Sequence, residues 1–151
     1  MTGQLSNTQT DELLYNSSIG RIGCTDGNKV YVVPVSFVYD GQYIILHSRD
    51  GLKTGMMRQH PEICFEVDRI AGFNHWETVI IHGLFEELTD EEDKYYAMKK
   101  MVDHHMKLKA SNPEKPPHLS YYRKHIDPVE AGRMIVYRIA ITEKTGRFER
   151  E

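Results

Sequence analysis

A cluster of polar and basic side chains surrounds Gly51, where the sequence changes from a strand-like to a helix-like pattern. The cluster contains His47, Ser48, Arg49 and Lys53. The N-terminus of a helix presents free N–H groups and a partial positive charge, and a lysine adds a full positive charge. This combination predicts an anion site that fits a phosphate group. The alternative is a solvated basic turn that only caps its own helix.

The segment 30–39 precedes this cluster and is apolar on both of its alternating faces. A strand exposed to water on one side normally alternates apolar and polar residues. Two apolar faces indicate that something covers the outside of the sheet, and we expect a second copy of the chain, in a homodimer. One face carries Val30, Val32, Pro34 and Val38, and the other carries Tyr31, Val33, Val35 and Phe37.

Pro34 lies inside this segment and predicts that the strand is at an edge of the sheet, because proline cannot donate a hydrogen bond to a neighbouring strand. An open edge beside apolar side chains leaves main-chain groups free to bind the rim of a flat heterocycle. The alternative is an ordinary edge strand with no ligand.

Six strand-like segments are expected, with hairpin turns at Asp26-Gly27 and Asp40-Gly41. The helices are too few and too badly placed to connect parallel strands, so the pattern predicts an antiparallel β-barrel. The strands are expected at 19–25, 30–39, 43–48, 63–70, 78–88 and 134–143. Three helices are expected: a short one that follows a cap at Thr8, a second at about 53–59, and a third at about 90–109 that follows a cap at Thr89.

The composition indicates a soluble globular chain with a single domain over residues 1–151. Hydrophobic residues make up 40% and charged residues 27%, which is typical of neither a disordered nor a membrane protein. The net charge of -3 is spread along the chain, which argues against nucleic acid as a partner. The sequence has neither a signal peptide nor an apolar run long enough to cross a membrane, so no membrane partner and a cytoplasmic location are expected.

Other kinds of chemistry find little support in the sequence. Cys24 and Cys64 lack the spacing of metal ligands or of a redox pair, and His104 and His105 are adjacent, so no metal site is expected. Ser48 has no evident general base and no glycines typical of a nucleophile elbow, which argues against hydrolysis.

Five segments follow one another along the chain: RIGC, VYVVPVSFVYDGQYIILHS, GLKTGMMRQHPEICFEVD, WETVIIHGLFEEL and YRIAITEKTGR. Taken in order, they resemble the FMN-binding split β-barrel proteins related to pyridoxamine 5'-phosphate oxidase, and the nitroimidazole-resistance branch in particular. The resemblance covers about residues 10–147 and implies a mainly β fold, a six-stranded antiparallel split β-barrel, and a homodimer with two FMN sites at its interface.

The resemblance also implies which residues hold the cofactor. The isoalloxazine ring would lie against Val33, Pro34, Val35 and Ser36, partly through their main chain. The ribityl phosphate would be held by His47, Ser48, Arg49, Lys53 and Thr54. Trp76 and Thr78 would lie beside the flavin and could come from the partner chain. The simpler interpretations are an interface aromatic for Trp76, a strand former for Thr78 and a buried histidine for His47.

The function implied is an FMN-dependent oxidoreductase that acts on a small molecule, with reduction of nitro compounds as one form of it. The chain shows no C-terminal substrate motif of the kind that vitamin B6 oxidases carry, so the resemblance defines neither the substrate nor a catalytic residue. Two alternatives stay open. One is a non-catalytic protein that binds or senses flavin or haem, and the other is a deazaflavin-binding relative.

Overall fold

The computed structural model describes residues 1–111 and 134–151, with side chains for 1–107 and 134–151. The polar, proline-rich segment ASNPEKPPHL at residues 110–119 is predicted from the sequence to be a surface connection, and most of it lies outside the described residues. In chain order the elements are β1 (Thr2–Gln4), α1 (Asn7–Tyr15), β2 (Ile19–Thr25), β3 (Val30–Ser36), β4 (Val38–Tyr39), β5 (Tyr43–Arg49), α2 (Leu52–Gln59), β6 (Glu62–Gly72), β7 (His75–Glu87), α3 (Glu91–Ser111) and β8 (Met134–Glu149).

The strands form one curled sheet in the order β3-β2-β6-β7-β8-β5-β4, and β1 pairs with β8 beside this path. Every pairing among these described strands is antiparallel. The sheet closes into a half-barrel because its two end strands, β3 and β4, are consecutive in the chain. The mainly β, antiparallel split-barrel prediction is confirmed.

The described part of the chain contains eight strands where the sequence predicts six. One addition is the short β1. The other arises because the segment 30–39 is interrupted at Phe37, whose N–H donates to the carbonyl of Ser18 rather than to a strand partner. The first helix also begins earlier than predicted, since its cap is Ser6 and not Thr8. Ser6 Oγ accepts from the N–H of Gln9, whose side chain accepts from the N–H of Ser6.

The two hairpin turns form as predicted, and each is stabilised by an aspartate. Asp26 Oδ1 accepts from the N–H groups of Asn28 and Lys29. Asp40 Oδ1 accepts in the same way from the next turn. Gly27 and Gly41 have φ values of 92° and 96°, a left-handed conformation that glycine adopts without steric cost.

The barrel interior is filled by side chains from the inner faces of the strands and from two helices. Phe37 and Phe65 pack edge to face with ring centroids 4.9 Å apart. Leu13 and Leu14 of α1, and Met57 of α2, are buried in the same cluster. Helix α3 packs on the other face of β4, β5 and β8 through Ala97 and Met101, over Val38, Ile45 and Val136. No helix within the described ranges is long and apolar enough to cross a membrane.

Candidate functional site

The candidate site lies at the corner between β5 and α2, beside the open edge of β3. β5 ends at Arg49 and α2 begins at Leu52, so only Asp50 and Gly51 connect them. Among the described strands, β3 is the last in the order and bonds only to β2, so Pro34 lies on an edge strand as predicted. Cα atoms of β3 and β5 approach within 8 Å across the gap of the barrel. The fold therefore brings the two predicted halves of the site together.

Lys53 is the feature of this corner that points most directly to a ligand. Its side chain is half-buried, and burial lowers the pKa of its ammonium group. No carboxylate pairs with it among the residues that the structure describes. Burying a cation without a counter-ion is unfavourable, so a bound anion would compensate for this cost.

His47 lies near Lys53 and is a neutral group of the site. Burial lowers the pKa of its imidazole, and the nearby charge of Lys53 lowers it further. The ring is therefore uncharged at neutral pH and offers one donor and one acceptor nitrogen rather than a second cation. Ser48 is also half-buried, and its hydroxyl donates to the carbonyl of Arg49 at 3.0 Å. Arg49 itself is exposed.

Thr54 is fully buried and holds the corner together from inside. Its hydroxyl accepts from the N–H of Gly51 at 2.9 Å and donates to Asp50 Oδ1 at 2.9 Å. This bond is the largest cause of a lowered pKa for Asp50. Arg58 contacts both Asp50 at 3.1 Å and Glu87 of β7 at 2.7 Å. The corner thus caps its own helix in part, as the alternative interpretation of the sequence proposed.

The amides of the first helical turn are not used by this internal network. The first backbone bond within the helix runs from the N–H of Gly55 to the carbonyl of Gly51. The N–H groups of Leu52, Lys53 and Thr54 precede it and have no acceptor inside the helix. Free amides and a half-buried lysine therefore lie at one end of α2, which is a donor set that fits a phosphate.

The predicted residues of β3 alternate across the edge strand. Val33 and Val35 are half-buried and pack against the core, whereas Pro34 and Ser36 are exposed. The main-chain groups of the outer edge face away from β2. No other described strand pairs with this edge, which therefore offers an apolar surface with hydrogen-bonding groups beside it.

Trp76 and Thr78 lie far from the corner within one chain. Glu87, the partner of Arg58, is eleven residues beyond Trp76 on β7, which corresponds to about 35 Å along a strand. The indole N–H of Trp76 donates to Glu149, and the hydroxyl of Thr78 donates to Glu66. The fold therefore does not bring these two residues to the same site as Lys53 unless a second copy supplies them.

The sequence over residues 6–148 matches a family model described as pyridoxamine 5'-phosphate oxidase. The chain belongs to this family. The match runs from the start of α1 to the penultimate residue of β8 and includes the whole corner around Gly51, so the resemblance to this family in the sequence is confirmed.

Several solved structures have a similar fold, and their descriptions name a cofactor or a role. A FAD-binding protein of Mesorhizobium loti is 21% identical, with a TM-score of 0.76 over 99% of both chains. A protein of Bacteroides thetaiotaomicron described as a candidate 5-nitroimidazole antibiotic resistance protein is 18% identical, with a TM-score of 0.74 over 98% of this chain and 87% of that one. The flavocytochrome Anf3 of Azotobacter vinelandii is 17% identical, with a TM-score of 0.72 over 97% of this chain and 68% of that one. At these identities the likeness establishes the fold.

A curated relative matches over a shorter length. An uncharacterized protein of Rhizobium meliloti (strain 1021) is 23% identical over 84 residues, so the match spans 56% of each chain. This relative adds no activity or ligand to the family assignment.

Two interior residues of this pyridoxamine 5'-phosphate oxidase family member, Cys24 and Tyr137, lie under the corner, and neither was assigned to the site from the sequence. Cys24 is buried, and burial raises the pKa of its thiol while the charge of Lys53 opposes this shift. The hydroxyl of Tyr137 is buried without a hydrogen-bond partner in the described structure, and burial raises its pKa. No local sequence pattern marks either residue, because β2 and β8 approach α2 only in the folded barrel.

Asp50 and Arg58 were also missed, although a local signal exists for the first. An aspartate before glycine, four residues ahead of Thr54, is typical of a helix start. No group of three His, Cys, Asp or Glu side chains suited to a metal ion occurs in the parts of the chain described here.

Proposed function

We propose that this chain is an FMN-dependent flavoprotein oxidoreductase that acts on a small molecule at a flavin site shared by two copies of the chain. The observation that carries the proposal is Lys53, half-buried and without a carboxylate partner in the described residues, at the start of α2 and beside an open strand edge. Membership of the family and the flavin-related names of several solved relatives support it.

The phosphate of FMN would lie at the corner between β5 and α2. Lys53 would supply its charge, the free amides at residues 52–54 would supply directed donors, and Ser48 would add a hydroxyl. His47 and Arg49 lie at the same strand end. The internal bonds of Thr54 suggest that it shapes the corner and contributes its N–H rather than its hydroxyl.

The ring system of FMN would lie along the edge of β3. Val33 and Val35 provide the apolar surface, and free main-chain groups of residues 33–36 provide hydrogen bonds to the rim. Bound FMN supplies hydride and electron transfer, and the protein supplies position and electrostatics. We place this chemistry in the cytoplasm, where the two free cysteines would stay reduced.

The outer face of the sheet supports the proposal of a homodimer. Ile19, Val30, Val32 and Leu84 are exposed on this face, around a groove of about 960 Å³. Several large apolar side chains exposed on one face of a single chain are typical of an interaction site. A second copy on this face would also explain how Trp76 and Thr78, remote from the corner in one chain, could approach a flavin held by the other.

We expect Val32→Asp to convert the dimer into a monomer. The side chain of Val32 is 62% exposed on the outer face, so the change introduces a charge into the proposed interface and not into the core. Light scattering should give about twice 17.6 kDa for the wild type and the mass of one chain, 17.6 kDa, for the variant. Tyr95→Asp is the matched control, because Tyr95 is 72% exposed on α3, away from this face. A wild-type monomer, or a dimer unaffected by Val32→Asp, would contradict the proposed interface.

Reduction of nitro compounds is the substrate class that we propose to assay first. It is supported by the description of the Bacteroides relative, which names resistance to an antibiotic class that carries a nitro group. Oxidation of a vitamin B6 vitamer is less well supported, because the chain shows no convincing C-terminal substrate motif.

The decisive experiment is the absorption spectrum and mass of the small molecule that co-purifies with the chain. We expect the yellow spectrum and the mass of FMN. A Soret band would favour haem and the non-catalytic alternative. The mass of FAD would replace FMN by FAD as the cofactor, and the mass of a deazaflavin would favour the deazaflavin-binding relatives. If the chain binds FMN but turns over no pair of reductant and acceptor, it stores or senses flavin and is not an oxidoreductase.

A further inference from the structure

Two carboxyl groups on the outer face of β6 share a single arginine. Glu66 and Asp68 are two residues apart, so their side chains point to the same face of the strand. Arg21 of β2 lies 3.4 Å from Asp68 Oδ2 and 4.0 Å from Glu66 Oε2. From β7, the hydroxyl of Thr78 donates to Glu66 Oε1 at 3.3 Å.

A hydrogen bond between the Glu66 and Asp68 carboxyl groups is one of the causes that raise the pKa of Glu66, and a carboxyl group donates such a bond only when it holds a proton. Two carboxylates at hydrogen-bond distance repel one another unless one of them is protonated. Burial, then the hydrogen bond and the charge of Asp68, raise the pKa of Glu66 to about 7. Arg21 opposes this shift but cannot neutralise both groups. Near neutral pH the pair therefore exchanges between a singly protonated and a fully ionised form.

One member of the pair, Glu66, lines the apolar groove that we propose as the dimer interface, and Asp68 follows two residues further along β6. Arg21 and Glu66 line this groove together with Gly23, Val32, Cys64 and Leu84. A two-fold contact places each face against itself. This face is complementary to itself in charge, because it carries a guanidinium with 42% exposure next to carboxyl groups with 25% and 29% exposure.

We propose that two copies of the chain associate over the Glu66–Asp68 pair and that association requires the pair to hold one proton. This inference rests on the proposed dimer. Covering the groove with a second copy removes water from the pair, and a second negative charge there is then unfavourable. Association takes up a proton wherever the free chain has lost it, so the dimer is strongest below about pH 7 and weakens as the pH rises above that value.

Few other charged or titratable groups of the described residues lie around the pair. Arg21 is the cation from β2, and Pro34 of β3 lies opposite it in the register. On β6 itself the flanking outward residues are Glu62 and Cys64, and burial raises the pKa of the Cys64 thiol, which keeps it uncharged. β7 contributes His82, and β8 places Arg147 next to Thr78. His82 is tested separately because its side chain lines the same groove.

The test is the dimer dissociation constant, measured by sedimentation between pH 6 and 8.5. For the wild type we expect it to rise by at least about tenfold over this range, since each proton linked to association changes it by about tenfold per pH unit. Glu66→Gln keeps a hydrogen-bond donor toward Asp68 without a charge and should remain a tight dimer at every pH. Asp68→Asn gives a second variant of the same kind in case the first does not fold. Glu62→Gln and His82→Gln should keep the wild-type pH dependence.

A wild-type dimer whose dissociation constant does not change with pH would contradict the proton requirement but not the proposed dimer. Loss of the pH dependence in His82→Gln, or its retention in both Glu66→Gln and Asp68→Asn, would overturn the assignment to the pair. A chain that is monomeric in every variant at every pH would overturn the inference together with the proposed dimer. Flavin content, read from the absorption spectrum of the same samples, tests the cofactor independently of all these outcomes.

Discussion

Replacing Lys53 with alanine should raise the dissociation constant for FMN by about tenfold to a hundredfold. A charge-assisted contact to a phosphate contributes about 1.5–3 kcal/mol, and each 1.4 kcal/mol corresponds to about a factor of ten. Lys53 is half-buried with no carboxylate partner in the described residues, so its removal eliminates the main charge of the proposed phosphate site. Titration calorimetry or flavin fluorescence measures the change directly.

Riboflavin is the control that isolates the phosphate contact, because it lacks the phosphate. Wild type and Lys53→Ala should bind riboflavin about equally, whereas a damaged barrel would lose affinity for both ligands. Lys29→Ala is a matched control, since Lys29 is an exposed lysine in the turn between β2 and β3. Unchanged FMN affinity in Lys53→Ala, or an equal loss for riboflavin, would show that the phosphate does not bind at this corner.

Replacing Phe37 with alanine should lower the free energy of unfolding by about 3–5 kcal/mol, the usual cost of truncating a buried phenylalanine. Phe37 joins the two end strands of the sheet, is 1% exposed and packs edge to face on Phe65. Its loss creates a cavity where the half-barrel closes. Denaturant unfolding followed by circular dichroism measures the change.

Phe73→Ala is the matched control for this truncation. Phe73 is 98% exposed in the turn between β6 and β7, so the same change should alter stability by no more than about 0.5 kcal/mol. A loss below about 1 kcal/mol for Phe37→Ala would contradict the assignment of Phe37 to the closing contact of the core.

The hairpins and most element boundaries could be predicted because their signals are local. Asp26-Gly27 and Asp40-Gly41 each combine an aspartate that accepts turn amides with a glycine that accepts a positive φ, and both turns form where expected. Helix α2 begins and ends within a residue of the prediction, since Pro61 disfavours helical geometry at His60. Strand β8 was less predictable. It extends to Glu149 because β7 and β1 pair with it, and those partners are distant in sequence.

The candidate site was also predictable only where its signals are local. The residue types around Gly51 indicate an anion site in advance, because a helix start with a nearby lysine is a local pattern. Only the tertiary structure shows that Lys53 is half-buried without a carboxylate partner in the described residues, that Thr54 turns its hydroxyl inward, and that Trp76 lies at the far end of the sheet. These properties depend on burial and on contacts between strands that no short segment contains.

The sequence by itself determined that this chain forms an antiparallel barrel with an open edge at Pro34 and a basic corner beside it, because alternation, turn chemistry and proline act over a few residues. The tertiary structure decided which charges meet. Arg21 reaches Glu66 and Asp68 only because β2 pairs with β6, and Arg58 reaches Glu87 only because α2 lies over the end of β7. Charge pairing and burial are set by strand order and register, which are properties of the whole sheet.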